Sequence, residues 1–360
     1  MNKLYSVIFC CDGGYGRYLL VALEGLIKHS SPIKHYEIII IDCGLDQETI
    51  QAIKARLSEF SNIVLKFQKF DELYQAQREV YYANPHISSA AYARFFLGGL
   101  TDNDLILYLD VDISIECDVA ELIDSENPGD KLITAAPDIG MEICRRYEKG
   151  WIAYFKNVIQ LDYGTDAHYF NSGVLVINRQ QWVAQNIEEK LMAFLASDRK
   201  FQFFDQDVLN IICFGKVHYL NFRYNVMASD YKPHKIYHDT ILDDMLTAYT
   251  HAANGDGRII HYTTGDKPWS SPQTKLAASW WQNCRTTAVY EQCLGNLVKQ
   301  GNVGRRKICF LGLALFKIKQ DSHRYKFYFW KFHVFGWRKK ANSKTYYCLG
   351  LPFLKITSLN

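Results

Sequence analysis

Three apolar, β-branched or aromatic runs stand early in the chain, at Leu4–Cys10, Tyr36–Ile41 and Ile63–Phe67; their length and composition predict β-strands. Between the second and third, Asp46 reads as an N-cap, and Ile50, Ile53, Leu57 and Phe60 follow at helical spacing, which predicts a helix with one face laid on a sheet. Leu105–Leu109 is apolar throughout, as expected of a central parallel strand covered on both faces. Further on, Tyr169–Ile177 and Arg258–Tyr262 predict strands and Val208–Cys213 the start of a helix. Thr274–Val298 predicts one helix that packs Trp280 and Trp281 onto the domain. Strands alternating with helices predict an α/β fold, whose ligands bind beyond the carboxyl ends of the strands. The residues that follow the first and fourth strands, Cys11-Asp12-Gly13-Gly14-Tyr15 and Asp110-Val111-Asp112, therefore matter most.

Composition adds scale and compartment. With 360 residues, 48% of them hydrophobic, the chain has room for one large domain or a catalytic domain with an appendage, and it is not of the disordered class. The ten cysteines form no Cys-x-x-Cys and no zinc-finger spacing, so they are expected to be buried thiols in a reducing compartment. The N-terminal apolar run is one strand long and ends at Asp12, unlike a secretory signal. The longest uncharged apolar run, Ile308–Phe316, is nine residues, against roughly 20 for a membrane-crossing helix.

Charge divides the chain. Residues 301–360 hold thirteen Lys or Arg and the single acid Asp321, a net +12; taken from the overall +3, this leaves −9 for residues 1–300. The same sixty residues carry thirteen aromatics, densest at Tyr325–Phe332, and an internal echo in two copies, Phe310–Ile318 and Cys348–Ile356. We expect a catalytic domain over 1–270, a helical extension over 271–300 and a basic aromatic region over 301–360. That last region is expected to meet an anionic membrane surface rather than nucleic acid, a small β-rich cap being the alternative.

Three constellations carry candidate chemistry. Asp110 and Asp112 alternate around Val111, so an extended strand end directs both carboxylates the same way, where together they grip one hard cation. The alternative is a solvated turn. Secondly, His261 stands six residues before Lys267 on a Gly-containing loop ending in Pro268-Trp269. Imidazole completes a mixed oxygen and nitrogen shell suited to Mn²⁺, and lysine holds phosphate as a point charge. Thirdly, Phe204-Asp205-Gln206-Asp207, placed ahead of a helix, and Asn171-Ser172-Gly173 offer the donors and acceptors that vicinal sugar hydroxyls need. Helix capping is the plainer reading of the first of these.

Taken in order, VIFCCDGGYGRYL (7–19), Tyr92-Ala93-Arg94, YLDVD (108–112), YFNSGVLVIN (169–178), DQDVLN (205–210) and His261–Trp269 resemble glycosyltransferase family 8, and within it the bacterial galactosyl- and glucosyltransferases of lipooligosaccharide and lipopolysaccharide cores. The resemblance covers roughly residues 4–280. It implies a GT-A nucleotide-sugar-binding fold, Mn²⁺ (or Mg²⁺) held by Asp110, Asp112 and His261, and transfer from a UDP-hexose with retention at the anomeric carbon. It also implies nucleotide contacts from Asp12, Gly14, Tyr15, Arg94 and Val111, and donor-sugar contacts from Asn171, Ser172, Asp205 and Gln206. Gly265 and Lys267 would approach the diphosphate, with Asp138 and His86 lining the donor and acceptor site. Gln206, Asp205 and Lys267 are the catalytic candidates. The family's His-x-x-Gly-x-x-Lys ending departs here, since Thr264 fills the glycine position and Gly265 follows it.

The expected acceptor is a lipooligosaccharide, lipopolysaccharide or other glycan or glycolipid, and the expected location the cytoplasm, peripheral to the inner face of the bacterial inner membrane. A dehydrogenase is disfavoured because Leu19 stands at the third glycine of Gly-x-Gly-x-x-Gly. A non-catalytic nucleotide-sugar or glycan-binding protein would not need Asp110, Asp112, His261 and Lys267 together.

Overall fold

The computed structural model describes residues 3–73, 92–195, 199–229, 231, 239–271, 273–301 and, in the C-terminal region, 305–310, 313–320, 324–329, 332–340, 343–349 and 351–357. The chain divides into two compact units, Met1–Gly265 with Ala278–Val289, and Asp266–Ala277 with Tyr290–Asn360.

The first unit is built on a seven-stranded mixed sheet, order β3-β2-β1-β4-β7-β6-β8. β1 (Leu4–Asp12), β2 (His35–Cys43), β3 (Ile63–Lys69) and β4 (Leu105–Leu109) run parallel. β1, β2 and β4 are buried along nearly their whole length, whereas the edge strand β3 alternates, as a sheet covered on both faces requires. Helix α1 (Gly16–His29) follows β1. Helix α2 (Gln47–Leu57) follows β2, with Ile50, Ile53 and Leu57 buried and the Asp46 carboxylate accepting the Thr49 N–H at 2.7 Å. The expected apolar stripe and cap are both realised.

Beyond β4 the order reverses. A short strand, β5 (Ile113–Ile115), leaves the sheet, β6 (Ile133–Pro137) leads into helix α3 (Ile139–Tyr147), and β7 (Phe170–Asn178) enters between β4 and β6, antiparallel to both. Helix α4 (Phe204–Ile212) and β8 (Val217–Tyr219), parallel to β6, complete the large sheet. A second, three-stranded sheet sets β10 (Ile259–His261) between β5 and β9 (Val226–Met227).

The helix expected over Thr274–Val298 is two helices, α5 (Ala277–Cys284) and α6 (Tyr290–Gly301). The break lies at Thr286 and Thr287, whose hydroxyls bond back to the carbonyls of Asn283 (3.0 Å) and Cys284 (2.7 Å), competing with the helical ladder. Trp280 is fully buried in the first unit and Trp281 half-buried.

In the second unit β11 (Arg305–Phe310), β12 (Leu313–Gln320), β13 (Arg324–Phe329), β14 (Phe332–Lys340), β15 (Ser343–Cys348) and β16 (Leu351–Thr357) form one antiparallel meander. The register slips after Ile308, Phe327 and Tyr346, which stand 19 residues apart. The two-copy echo is therefore a three-copy repeat of bulged hairpins. Its middle copy, Phe329–Trp337, escapes the eye because its sequence has drifted while its register has not. Register also sorts residue types. Arg305 pairs with Lys319, Lys307 with Lys317, Lys319 with Lys326 and Arg324 with Arg338, while Ile308 pairs with Phe316, Ile318 with Phe327 and Phe327 with Phe335.

Candidate active site

The carboxyl ends of β1, β4 and β6 and the amino end of β7 meet at one edge of the large sheet, because β7 runs opposite to its neighbours. Asp12, Asp110 and Asp138 each directly end or follow a strand, and Asn171-Ser172-Gly173 begins another. The second sheet brings in the distant histidine. His261 pairs with Ile113, one residue past Asp112, and the Tyr262 N–H donates to the Asp112 carbonyl at 2.9 Å.

The result is a cluster in which one ligand atom each of Asp110, Asp112 and His261 lies within 4.8 Å of the other two. His261 Nε2 is 3.5 Å from Asp110 Oδ2 and 3.3 Å from Asp112 Oδ1. Two carboxylate oxygens with one imidazole nitrogen suit a divalent metal, which would take the place of a proton on Nε2. The backbone makes room for it at Gly173. A Cβ there would come within 2.1 Å of His261 Cε1 and 2.7 Å of Asp110 Oδ2. The donor set and the cradle fit a metal.

Arg94 joins this cluster to the rest of the pocket. Its guanidinium lies 2.9 Å from Asp110 Oδ1 and 3.1 Å from Asp205 Oδ2, donates to the Ser172 carbonyl and hydroxyl at 3.2 Å, and stacks over the Tyr108 ring. Burial alone would favour a neutral guanidine, but the charges of Asp110 and Asp205 outweigh it and hold Arg94 well above its usual range. Burial raises Asp205, with Arg94 opposing, and burial raises Asp138 against the N–H donors of Met141, Asn171 and Gln206.

Helix α4 begins earlier than expected. Phe204-Asp205-Gln206-Asp207 is its first turn rather than the approach to it. Asp207, fully buried, fastens that turn by accepting from the Phe203 N–H (2.8 Å) and from the hydroxyls of Tyr154 and Tyr169 (both 2.6 Å). Asp205 and Gln206 are left to face a pocket of about 420 Å³, shared with Arg94, Asp110, Asp112, Asn171, Ser172 and His261, within the range of small-ligand sites. Gln206 Oε1 accepts from the Ser172 N–H (3.1 Å) and Asn171 Nδ2 (3.2 Å), and Gln206 Nε2 donates to Asp138 Oδ2 at 3.2 Å.

The remaining expected residues fall as follows. Asp12 Oδ1 accepts the N–H groups of Gly14 (3.0 Å) and Tyr15 (3.2 Å), shaping the turn into α1. Burial, Asp112 and Asp12 push the Tyr15 hydroxyl up to about 12. Gly13 is imposed by packing, since a Cβ would meet the Gly44 carbonyl at 2.6 Å. Val111 is buried between the two aspartates and is not part of the pocket wall. Gly265 has open space around it. Lys267 belongs to the second unit, where its N–H donates to Ser270 Oγ at 3.1 Å. His86 lies outside the described residues.

Sequence reasoning missed two features. Asn225, fully buried, presents Oδ1 to His261 Nδ1 at 3.1 Å; in sequence it closes the run NFRYN (221–225), which resembles the lipooligosaccharide galactosyltransferases but gives this amide no role. Phe203, 41% exposed at the pocket rim, stacks parallel on Trp151 with centroids 5.5 Å apart, a pairing across 52 positions that no local pattern announces.

Known proteins resemble this chain in sequence and fold. Glycosyltransferase GlyE of Streptococcus pneumoniae is 25% identical over 286 residues, 78% of this chain and 61% of GlyE, so the chain spans less than two thirds of that relative. A lipopolysaccharide 1,2-glucosyltransferase of Escherichia coli is 25% identical over 296 residues, 78% of each chain. The solved structure of galactosyltransferase LgtC, in complex with donor and acceptor sugar analogues, superposes with a TM-score of 0.63 at 26% identity, covering 81% of this chain and all of LgtC. The fold is thus of the GT-A type. The family model described as glycosyl transferase family 8 matches residues 6–273, and the chain belongs to that family.

Proposed function

We propose that the protein is a retaining hexosyltransferase that moves a hexose, galactose before glucose, from a UDP-sugar to a lipooligosaccharide, lipopolysaccharide or other glycan acceptor. The observation that carries this reading is the convergence of Asp110, Asp112 and His261 beside a pocket walled by Asn171, Asp205 and Gln206. Those three residues would hold a divalent cation, Mn²⁺ or Mg²⁺, which would supply Lewis-acid neutralisation of diphosphate charge. Tyr15, Asp12 and Gly14 flank the nucleotide, and Gly265 and Lys267 serve the diphosphate. Asp138, Asn171 and Gln206 hold the sugar hydroxyls through a bonded group of amides and one carboxylate.

Retention proceeds on one face of the sugar. The bond from the anomeric carbon to the UDP oxygen breaks, the acceptor oxygen bonds to the same face, and the acceptor proton passes to the departing phosphate. An amide is a poor nucleophile, and Gln206 Oε1 already accepts from the Ser172 N–H and Asn171 while Asp205 is matched to Arg94, which supports the one-face route. A covalent sugar trapped on either residue during turnover would overturn this step. The hydrolysis of a UDP-hexose panel with and without Mn²⁺, repeated with Asp112→Asn, tests the whole reading; turnover by that variant equal to the parent's removes it.

Residues 301–360 are proposed to hold the enzyme at an anionic membrane. Support comes from the thirteen cations of that region and from the register that pairs several of them across neighbouring strands. Like charges directly opposite destabilise a sheet unless outside anions offset them. Among the described residues no helix is long and apolar enough to cross a membrane.

A further inference from the structure

We infer that Asn225 is a positioning residue that fixes the tautomer of His261 and, through Asn171, ties the metal-binding half of the site to Gln206. The inference rests on the metal reading above.

The argument turns on polarity. An amide side chain can be drawn either way round, but a backbone N–H cannot. Asn171 accepts the Gly173 N–H at 3.1 Å, so the atom there is its oxygen. That same oxygen faces Asn225 at 2.9 Å, and two oxygens cannot bond, so Asn225 presents its NH₂ to Asn171. The other end of the Asn225 amide, turned to His261 Nδ1 at 3.1 Å, is therefore its oxygen. Oxygen accepts only, hence Nδ1 carries the hydrogen and Nε2 keeps the lone pair that faces Asp110 and Asp112. The Ser172 N–H sets the far end by the same logic. It donates to Gln206 Oε1 at 3.1 Å, which leaves Asn171 Nδ2 as donor to that oxygen at 3.2 Å.

Two neighbouring backbone groups on β7 thus dictate the direction of a chain running Gln206, Asn171, Asn225, His261. Asn225 is fully buried and His261 3% exposed, so water does not replace the missing partner cheaply. Outer partners of a ligand histidine typically change metal affinity about 10- to 100-fold when removed.

The test is Mn²⁺ titration of the full chain without nucleotide, reading free Mn²⁺ by electron paramagnetic resonance, with circular dichroism to confirm folding. Asn225→Leu keeps the branched shape, with bulkier methyl groups, but removes the acceptor, and is expected to weaken Mn²⁺ binding by about 10- to 100-fold. Asn225→Asp keeps an acceptor for Nδ1 and should bind Mn²⁺ far more tightly than the leucine variant. Its lost donor to Asn171 should appear instead as a fall in kcat for UDP-hexose hydrolysis. Should Asn225→Leu not fold, Asn225→Ala takes its place. Parent-like Mn²⁺ binding by the leucine or alanine variant, or equal weakening by the apolar and aspartate variants, overturns the inference. If the parent itself binds no Mn²⁺, or Asp112→Asn binds it unchanged, the metal reading falls instead.

Discussion

Replacing Gly173 by alanine adds one methyl group at the point where the metal cluster is tightest. The new carbon would sit 2.1 Å from His261 Cε1, 2.8 Å from Nδ1 and 2.7 Å from Asp110 Oδ2. Carbon atoms rest about 3.5–4.0 Å apart, so the ring would have to move by roughly 1.4–1.9 Å. Little around it can give. The His261 carbonyl accepts the Ala228 N–H at 2.8 Å, Nδ1 is held by Asn225, and the Asp110 N–H donates to the Gly173 carbonyl at 2.8 Å. Overpacking of this kind costs about 1–3 kcal/mol, which in a unit of this size lowers Tm by about 2–4 °C per kcal/mol. The larger effect falls on function, because a displacement of about 1 Å at a reacting centre can cost about 100-fold. The assay pairs thermal melting with Mn²⁺ titration and kcat/KM for UDP-hexose hydrolysis. A folded Gly173→Ala protein that keeps Mn²⁺ affinity and kcat/KM within about threefold of the parent, rather than the 100-fold loss, would refute the claim that glycine is there to admit the metal ligands. Gly265→Ala is the control, since no atom lies within 4 Å of its added carbon. That variant should melt with the parent, and a raised KM for UDP-hexose would mark backbone approach to the diphosphate.

Three further outcomes are expected. Asp138 is raised by burial, so its folded-state contribution is complete below the ordinary carboxylate value of about 3.9 and is lost as pH rises through the raised one. Asp138→Asn should therefore melt higher than the parent at pH 7 though not at pH 3, while losing turnover; a lower Tm at pH 7 contradicts this. Glu142 has the opposite sign. Burial would raise it, but the bonds from His168, Arg145 and the Tyr169 N–H prevail and hold it low. Its contribution is present above the ordinary glutamate value of about 4.3 and fades as pH falls, so Glu142→Gln should cost about 3–5 kcal/mol at neutral pH, a gap that narrows in acid in denaturant titrations at pH 7 and pH 4. Finally, a chain ending at residue 300 should lose co-sedimentation with phosphatidylserine vesicles, and Lys326→Glu should weaken it in part, each engaged cation contributing about 1 kcal/mol; undiminished sedimentation by the truncated chain excludes the membrane role.

Much of the first unit was legible because its signals are local. Leu105–Leu109 had to be a doubly covered strand, Asp46 had to cap, and a carboxylate pair just past a parallel strand had to stand at the binding edge. The three-residue span from Asp110 to Asp112 needed only alternation to be read. Asn225 and Phe203 were not legible, because each acquires its role from a residue far away in sequence: His261 for the one, Trp151 for the other. Helix α4 was placed too late since Asp205 and Asp207 look like cap residues. In fact Asp207 accepts the Phe203 N–H from inside the first turn, a geometry that composition does not distinguish from a preceding loop. The third repeat in the tail was hidden for another reason. Register survives any substitution that keeps alternate residues on the same faces, so the spacing of the bulges preserves what residue identity has lost.

The antiparallel entry of β7 has a physical consequence for how such a site is kept accurate. Were β7 parallel to β4, its amino end would lie at the opposite edge of the sheet, and Asn171-Ser172-Gly173 would be far from Asp110. Reversed, the tripeptide serves both halves of the pocket. The Ser172 N–H orients Gln206, the Ser172 carbonyl receives Arg94, the Gly173 N–H orients Asn171, and the missing Cβ of Gly173 admits His261. A slip of one residue would turn every side chain of β7 to the other face and move the backbone groups off these partners. The pairing of Leu109 with Val174 and Leu105 with Asn178, apolar and buried for most of its length, penalises that slip along the whole strand. Placement of the polar end is thereby enforced by burial at the apolar one, so core substitutions in β7 such as Val176→Ala are expected to disturb chemistry only so far as they loosen this register.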